Sequence, residues 1–304
     1  MEKTDLRTKN SKNKRYFSRD LVQSASKKSK RTSAVLNVVV GLCTALTVLI
    51  LVYILLFILI NGIPHLSWKF LTDEYSVRGD NQGILPIIIN TVYMVLITLI
   101  IATPIGISTA LFLTQYAKQG RLVRAIRFTT EVLAGIPSII FGLVGSVLFS
   151  ETLGFGYSIL SGSLTMTMMI LPTLVRTTEE AILSVPMSYQ EGALALGAGR
   201  LRVIFNIILP SAMPGILTAV ILAMGRIVGE SAALIFTLGM AYAMPSNVFG
   251  HIMESGRTLT LHLYALFSVG KDINQSFATA TVLLIIVFVL NRLASLTSKM
   301  LKKG

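Results

Sequence analysis

Residues 34 to 60 run for 27 positions without a charged side chain, and no other feature of the chain narrows its fold as much. At about 1.5 Å per residue a helix of that length crosses a hydrocarbon core roughly 30 Å thick. The stretch is too long for the apolar part of a signal peptide, the basic segment ahead of it is longer than an ordinary leader start, and no small-residue cleavage site follows it. It is therefore expected to be retained as a first membrane-spanning helix.

Further uncharged stretches run from Ile84 to Ala117, Val132 to Ser150, Thr152 to Val175, Val203 to Gly225 and Ile273 to Asn291, each able to supply one span. An uncharged stretch resumes at Ser231 after Arg226 and Glu230, so the fifth span is expected to begin near Pro210 and end near Gly239. The expectation is an all-α membrane protein of six transmembrane helices. Composition agrees: 53% of the 304 residues are hydrophobic and 13% charged, and this much apolar surface exceeds what a water-soluble core of the same length hides.

The charges set the orientation. Of 27 Lys and Arg residues, 11 lie in residues 1 to 33, 4 in 114 to 128, 3 in 176 to 202 and 4 in 292 to 304, whereas the opposite side holds Lys69, Arg78, Arg257 and Lys271, and Arg226 within an apolar segment completes the set. The positive-inside bias places both termini in the cytoplasm. The formal charge of +13 is thus accounted for by topology, and no aromatic-interleaved basic motif points to nucleic acid. Residues 1–33 read as a disordered basic cytoplasmic tail near anionic lipid headgroups, 61–83 as an extracytoplasmic segment, 84–298 as the core and 299–304 as a cytoplasmic tail. Cys43 is the single cysteine, and His65, His251 and His262 are scattered, so neither a disulfide nor a metal site is expected.

Between the fourth and fifth spans lies a long cytoplasmic segment, 176–210. From Ser188 onward Ala193, Leu194, Leu196, Leu201 and Ile204 are compatible with a short helix, and Gly192, Ala195, Gly197, Ala198 and Gly199 permit close approach or a bend. Glu191, Gly192 and Ala193 are followed after three residues by Gly197, and after nine more by Ile207, then Leu209 and Pro210. This spacing resembles the EAA motif of binding-protein-dependent importer permeases, with Gly192 in place of the usual Ala. The resemblance implies the fold of the type I ABC importer permeases and a helix that seats in a groove of a cytoplasmic ATPase subunit, with Glu191 and Gly197 at the contact. The alternative is an amphipathic helix lying on the inner leaflet. No G-x-x-x-x-G-K-[ST] segment occurs, so the chain is read as a transporter subunit without an ATPase site of its own.

Arg226 and Glu230 are the charges that interrupt the apolar segments, four residues apart and read as one face of the fifth span. Ionisable residues at membrane depth are costly and mark bundle interiors or aqueous paths; the other reading is a mutually neutralising structural pair. The stretch LAMGRIVGESAALIFT around them resembles phosphate-import permeases of the PstA type, as do NTVYMVLITLIIATPIGISTALFLTQYA, AGIPSIIFGLVG and TEEAILSVP. An Arg fork suits phosphate oxygens, and a Glu accepts from a protonated phosphate oxygen while repelling fully ionised anions.

The resemblance implies a subunit of a phosphate importer in the bacterial plasma (inner) membrane. Its partners there are a second homologous permease subunit (PstC type), two cytoplasmic ATPase subunits (PstB type) that use ATP and Mg, an extracytoplasmic phosphate-binding protein (PstS type) and the lipid bilayer. The long connection 240–272 is the surface expected to receive the binding protein, or else packs as a re-entrant hairpin. No cofactor is expected in this chain. Rival readings are a permease for another oxyanion such as molybdate or sulfate, an ion-coupled secondary transporter, for which no internal repeat is found, and a non-transporting scaffold.

Overall fold

A computed structural model describes residues 33–74, 83–242, 244, 250–269 and 272–301. The basic tail up to residue 32, Arg78, Pro245, Lys271 and residues 302–304 lie outside the described residues. Among the described residues the ordered elements are all helical. Five helices are long and apolar enough to cross a membrane, or six if one bent pair counts as a single span.

The chain divides into two units, residues 1–58 and 59–304. The first contains most of helix α1, Ser33–His65, whose apolar side chains are exposed around the whole circumference up to Phe57. Two of its hydroxyls are satisfied within the helix: those of Thr44 and Thr47 donate to the carbonyls of Val40 and Cys43 at 2.8 and 2.9 Å. A helix apolar on all sides with internally satisfied hydroxyls is one whose solvent is lipid or another apolar surface.

The second unit opens with a short helix α2, Trp68–Thr72, followed by α3, Leu85–Tyr116, the last turn of which is a π-helix over Phe112–Tyr116. Helix α4, Arg121–Ala134, then meets α5, Ser138–Thr152, at 103°. The span expected from the uncharged stretch Val132 to Ser150 is therefore a bent helix pair that starts at Arg121. The cause is local: Pro137 has no N–H to donate and disfavours the helical region for the residue before it, and its own ψ of 138° takes the chain out of the helix.

Helix α6, Ile159–Leu183, keeps Arg176, Glu179 and Glu180 inside a helix rather than in the loop assigned from residue 176. Helix α7, Met187–Ala195, follows. Helix α8, Arg200–Gly229, is continuous through a π-helical turn at Ile204–Ile208; its 30 residues extend about 45 Å. It ends ten residues before the Gly239 expected, because the chain turns extended at Glu230, with φ −85° and ψ 132°. Helices α9, Leu259–Val269, and α10, Ile273–Leu301, complete the order.

Helices α3, α6 and α8 form the centre, with Met94, Ala102, Met166, Ile170, Ala223 and Ile227 buried between them. Apolar association gains little in lipid, so close backbone approach at small residues carries the packing. At Gly106 an added Cβ would lie 2.7 Å from Leu174 Cδ2 on α6. At Gly142 it would lie 2.7 Å from the Cα of Ala233, which brings α5 against the turn that follows Glu230.

Candidate translocation and docking sites

The two sets of residues singled out by sequence flank one helix: the docking set lies in α7 and in the turn before α8, and Arg226 and Glu230 lie at the far end of α8. Helix α8 begins three residues after Gly197 and ends beside Glu230.

At its start, Gly197 has φ +83°, a left-handed conformation for which glycine carries no Cβ penalty. Its N–H donates to Leu194 O at 2.9 Å and that of Ala198 to Ala193 O at 3.0 Å, which closes the end of α7 in the manner of a glycine C-cap. Gly197 is thus required by the turn itself. Glu191 and Gly192 are exposed and Ala193 is buried. No heavy atom lies within 4 Å of a Cβ built on Gly192, so the departure from Ala at that position is not forced by crowding. Sequence reasoning missed Leu196 as a surface feature: it is 91% exposed at the tip of the turn. An apolar residue placed just before a C-cap glycine was the available signal.

At the other end, Arg226 is half-buried and donates from Nη1 to Thr173 Oγ1 of α6 at 3.2 Å. Glu230 is half-buried and stands outside the helix. Its Oε1 accepts the N–H of Ala233 at 3.1 Å, holding the short turn that leads into Leu234–Phe236. The expectation that Arg226 and Glu230 share one helical face is corrected. The helix ends between them, and the ion pairs of the described residues, Arg127–Glu179, Arg176–Glu180 and His251–Glu254, do not include them. Each side chain is held by a neutral partner, which leaves the guanidinium and the carboxylate with unused hydrogen-bonding capacity.

The connection after Glu230 is more polar inside than its sequence suggested. His251 is fully buried, with Nδ1 2.7 Å from Glu254 Oε2 and Nε2 2.7 Å from Asn90 Oδ1 of α3. The Leu259 N–H donates to Thr91 Oγ1 at 2.9 Å, and the Thr260 hydroxyl to the carbonyl of Glu230 at 3.0 Å. Arg257 sits 4.1 Å over the ring of Tyr242 and bonds its hydroxyl. Outside the candidate spans, burial first and the Arg257 guanidinium second push His262 down to about 3, so its Nδ1 is an acceptor for Arg257 at neutral pH. Apart from the local His251–Glu254 pair, these contacts do not follow from spacing along the sequence.

At the α7 end, Arg127 of α4 forms an ion pair with the buried Glu179 of α6 and also reaches Gln119. Arg200, the first residue of α8, donates to the carbonyl of Gln115 and lies 5.3 Å over the ring of Tyr116 at the end of α3.

Comparison with known proteins places this arrangement. A Bacillus subtilis protein described as the probable ABC transporter permease protein YqgI is 35% identical over 248 residues, covering 77% of this chain and 83% of its own length. The phosphate transport system permease protein PstA of Pasteurella multocida is 36% identical over 180 residues, 59% of this chain and 64% of its own. PstA 2 of Mycobacterium bovis is 28% identical over 249 residues, 82% of this chain and 81% of its own. Two solved structures share the fold. One is the MetNI methionine ABC transporter in an inward-facing conformation, at TM-score 0.57 and 19% identity over 72% of this chain and 94% of that one. The other is a bacterial alginate ABC transporter, at TM-score 0.58 and 16% identity over 84% of this chain and 92% of that one. Residues 102–303 match the family of binding-protein-dependent transport system inner membrane components, and the chain is a multi-pass membrane protein that belongs to that family of ABC importer permeases.

Proposed function

We propose that this chain is a permease subunit of an ATP-driven importer of inorganic phosphate in the bacterial inner membrane. Its partners are a second permease subunit, two cytoplasmic ATPase subunits that bind ATP and Mg, and an extracytoplasmic phosphate-binding protein. Phosphate is supported by the relatives whose names specify it and by one observation above all: a half-buried arginine and a half-buried glutamate at the end of α8, each engaged by neutral groups among the described residues. Arg226 replaces part of the water shell of the anion with a guanidinium fork. Glu230 accepts a hydrogen bond from a protonated phosphate oxygen.

The α7 turn carries the other half of the function in this reading. Glu191, Gly192 and Leu196 are exposed beside the turn that Gly197 closes, and this surface seats on the ATPase subunit. Because α8 starts at that turn and ends at Glu230, a movement of the docking segment reaches the anion path along a single helix. The test is uptake of labelled phosphate by the assembled complex carrying Arg226→Gln. Loss of a desolvated partner to an anion costs roughly 2 to 5 kcal/mol, so uptake should be nearly abolished while the subunit still inserts and binds its ATPase. Undiminished uptake would remove Arg226 from the path.

A further inference from the structure

The docking segment is joined to α8 through Gly197, Ala198 and Gly199, a connection with little stiffness of its own. Apolar packing of Val203, Ile204 and Ile208 with Ala110 holds α8 near α3 from its fourth residue onward. The three residues ahead of it are different, since Arg200, Leu201 and Arg202 are exposed, and there the tie to α3 is polar. The guanidinium of Arg200 donates to the carbonyl of Gln115 and covers the Tyr116 ring at 5.3 Å.

Electrostatics within α8 does not favour an arginine at this position. The start of a helix carries the positive end of its dipole and disfavours cations, whereas the end of a helix favours them. Arg200 is the first residue of α8, and its charge is carried to the last turn of the 32-residue helix α3. That turn is π-helical: the N–H of Ala117 takes the carbonyl five residues back, at Phe112. The terminal carbonyls of a helix lack intrahelical donors, and Arg200 supplies one to Gln115. A cavity of about 430 Å³ lies beside this contact, lined by Gln115, Ser184, Met187, Gln190 and Arg200 among others. Helix α7 is therefore separated from the end of α3 by open space, whereas α8 is bridged to it.

We propose that Arg200 is a positioning residue for transport. It clamps the first turn of α8 to the end of α3, so that a displacement of the docking turn moves the two long helices together rather than bending the first turn of α8. The proposal rests on the reading of the α7 turn as the ATPase-docking surface, and it assigns Arg200 to the transmission of movement, not to docking.

The experiment uses the complete complex in lipid vesicles with its ATPase subunits and binding protein, and Cys43→Ser as background. Spin labels on Lys118 and Arg202, both exposed, report the distance between the end of α3 and the start of α8 through ATP binding and vanadate trapping. With Arg200 intact, one narrow distance distribution is expected in both states. Arg200→Ala should broaden it, and transported phosphate per ATP hydrolysed should fall about thirtyfold or more, the scale of one charged hydrogen bond together with a cation–π contact. The ATPase subunits should co-purify in unchanged ratio. Arg200→Lys, which keeps the charge but not the fork, should restore the ratio in part, and Tyr116→Leu added to Arg200→Ala should make it no worse. An unaltered distance distribution in Arg200→Ala overturns the clamp, and so does loss of the ATPase from that variant, which would make Arg200 a docking residue. Glu191→Arg in the same preparation tests the docking reading separately: if the ATPase stays bound and active, that reading fails on its own.

Discussion

Thr260 donates its hydroxyl to the backbone carbonyl of Glu230 across 3.0 Å, and this bond joins the segment that begins α9 to the residue at which α8 ends. The neighbouring Leu259 N–H is held by Thr91 of α3 at 2.9 Å. Glu230 is thus fixed twice, through its carboxylate to the turn that follows it and through its carbonyl to a different element. Thr260→Val keeps the shape and removes the donor, leaving a carbonyl without its partner at a cost of about 1 to 3 kcal/mol. Phosphate uptake is expected to fall about fivefold or more with normal insertion, and Thr260→Ser should recover most of it. Equal uptake by the Val variant would show that the bond does not set the position of Glu230.

The Ala233 turn is constrained from the other side by Gly142. A Cβ there would stand 2.7 Å from Ala233 Cα and 2.8 Å from its carbonyl oxygen, and backbone cannot swing away as a side chain can. Gly142→Ala should cost about 1 to 3 kcal/mol, read as a lower unfolding temperature in detergent, and should impair uptake because the Glu230 turn must shift. Gly225→Ala, with open space at the same test, is the control. Indistinguishable unfolding of the two variants would contradict the close approach.

At the docking turn, Gly192 and Gly197 separate in their requirements although both are glycines in one motif. Gly197 needs its positive φ, while Gly192 is helical in α7 with nothing near its missing Cβ. Gly192→Ala should strengthen α7 by up to about 1 kcal/mol and leave ATPase co-purification intact. Gly197→Ala should weaken co-purification through the strained turn. The reverse order would place the contact at Gly192 and show that docking does not depend on the turn at Gly197.

How much of this was legible in the sequence depends on the range of the interaction. The apolar helices were, since lipid demands long uncharged stretches and Leu85–Tyr116 or Ile273–Leu296 satisfy that demand residue by residue. The break at Pro137 carried a signal, yet it lay inside an uncharged stretch, and hydropathy outweighed it. The end of α8 was misread for the same reason: Ser231 to Met240 is uncharged, which says that it avoids water and not that it is helical. The polar clamps were invisible. Asn90 and His251 are 161 positions apart, and Arg200 and Gln115 are 85 apart, so no local periodicity relates them. Arg226 and Glu230 were found because a charge in an apolar run is conspicuous, but their separation by a helix end was not, because a spacing of four residues looks the same whether or not the helix continues.

Orientation is open to a direct measurement. Ser188 in α7 and Trp68 in α2 are both exposed, Trp68 to 78%, and they lie near opposite ends of α3. In a Cys43→Ser background, cysteine at 188 should react with an impermeant thiol reagent only from the cytoplasmic face and cysteine at 68 only from outside, as the distribution of Lys and Arg requires. Labelling of both from one side would mean that the number of crossings between them is even, and the bent pair α4 and α5 would then not act as a span.

Replacing Glu230 by Gln tests the anion selectivity that the pair implies. The amide keeps an oxygen that can still accept the Ala233 N–H, now 3.1 Å from Oε1, so the turn survives the change. What is lost is the negative charge, and what is gained is an N–H₂ donor. Phosphate near neutral pH carries a proton that a carboxylate accepts, whereas sulfate carries none and meets only repulsion from Glu230. In the Gln variant that repulsion is gone and the new donor faces the sulfate oxygens, so excess sulfate should inhibit labelled-phosphate uptake where it does not inhibit the unaltered complex. Phosphate uptake itself should fall, because its own proton has lost a charged acceptor, a difference of about 1 to 2 kcal/mol. If sulfate remains without effect while Arg226→Gln still abolishes uptake, discrimination resides elsewhere in the path and Glu230 serves the turn alone.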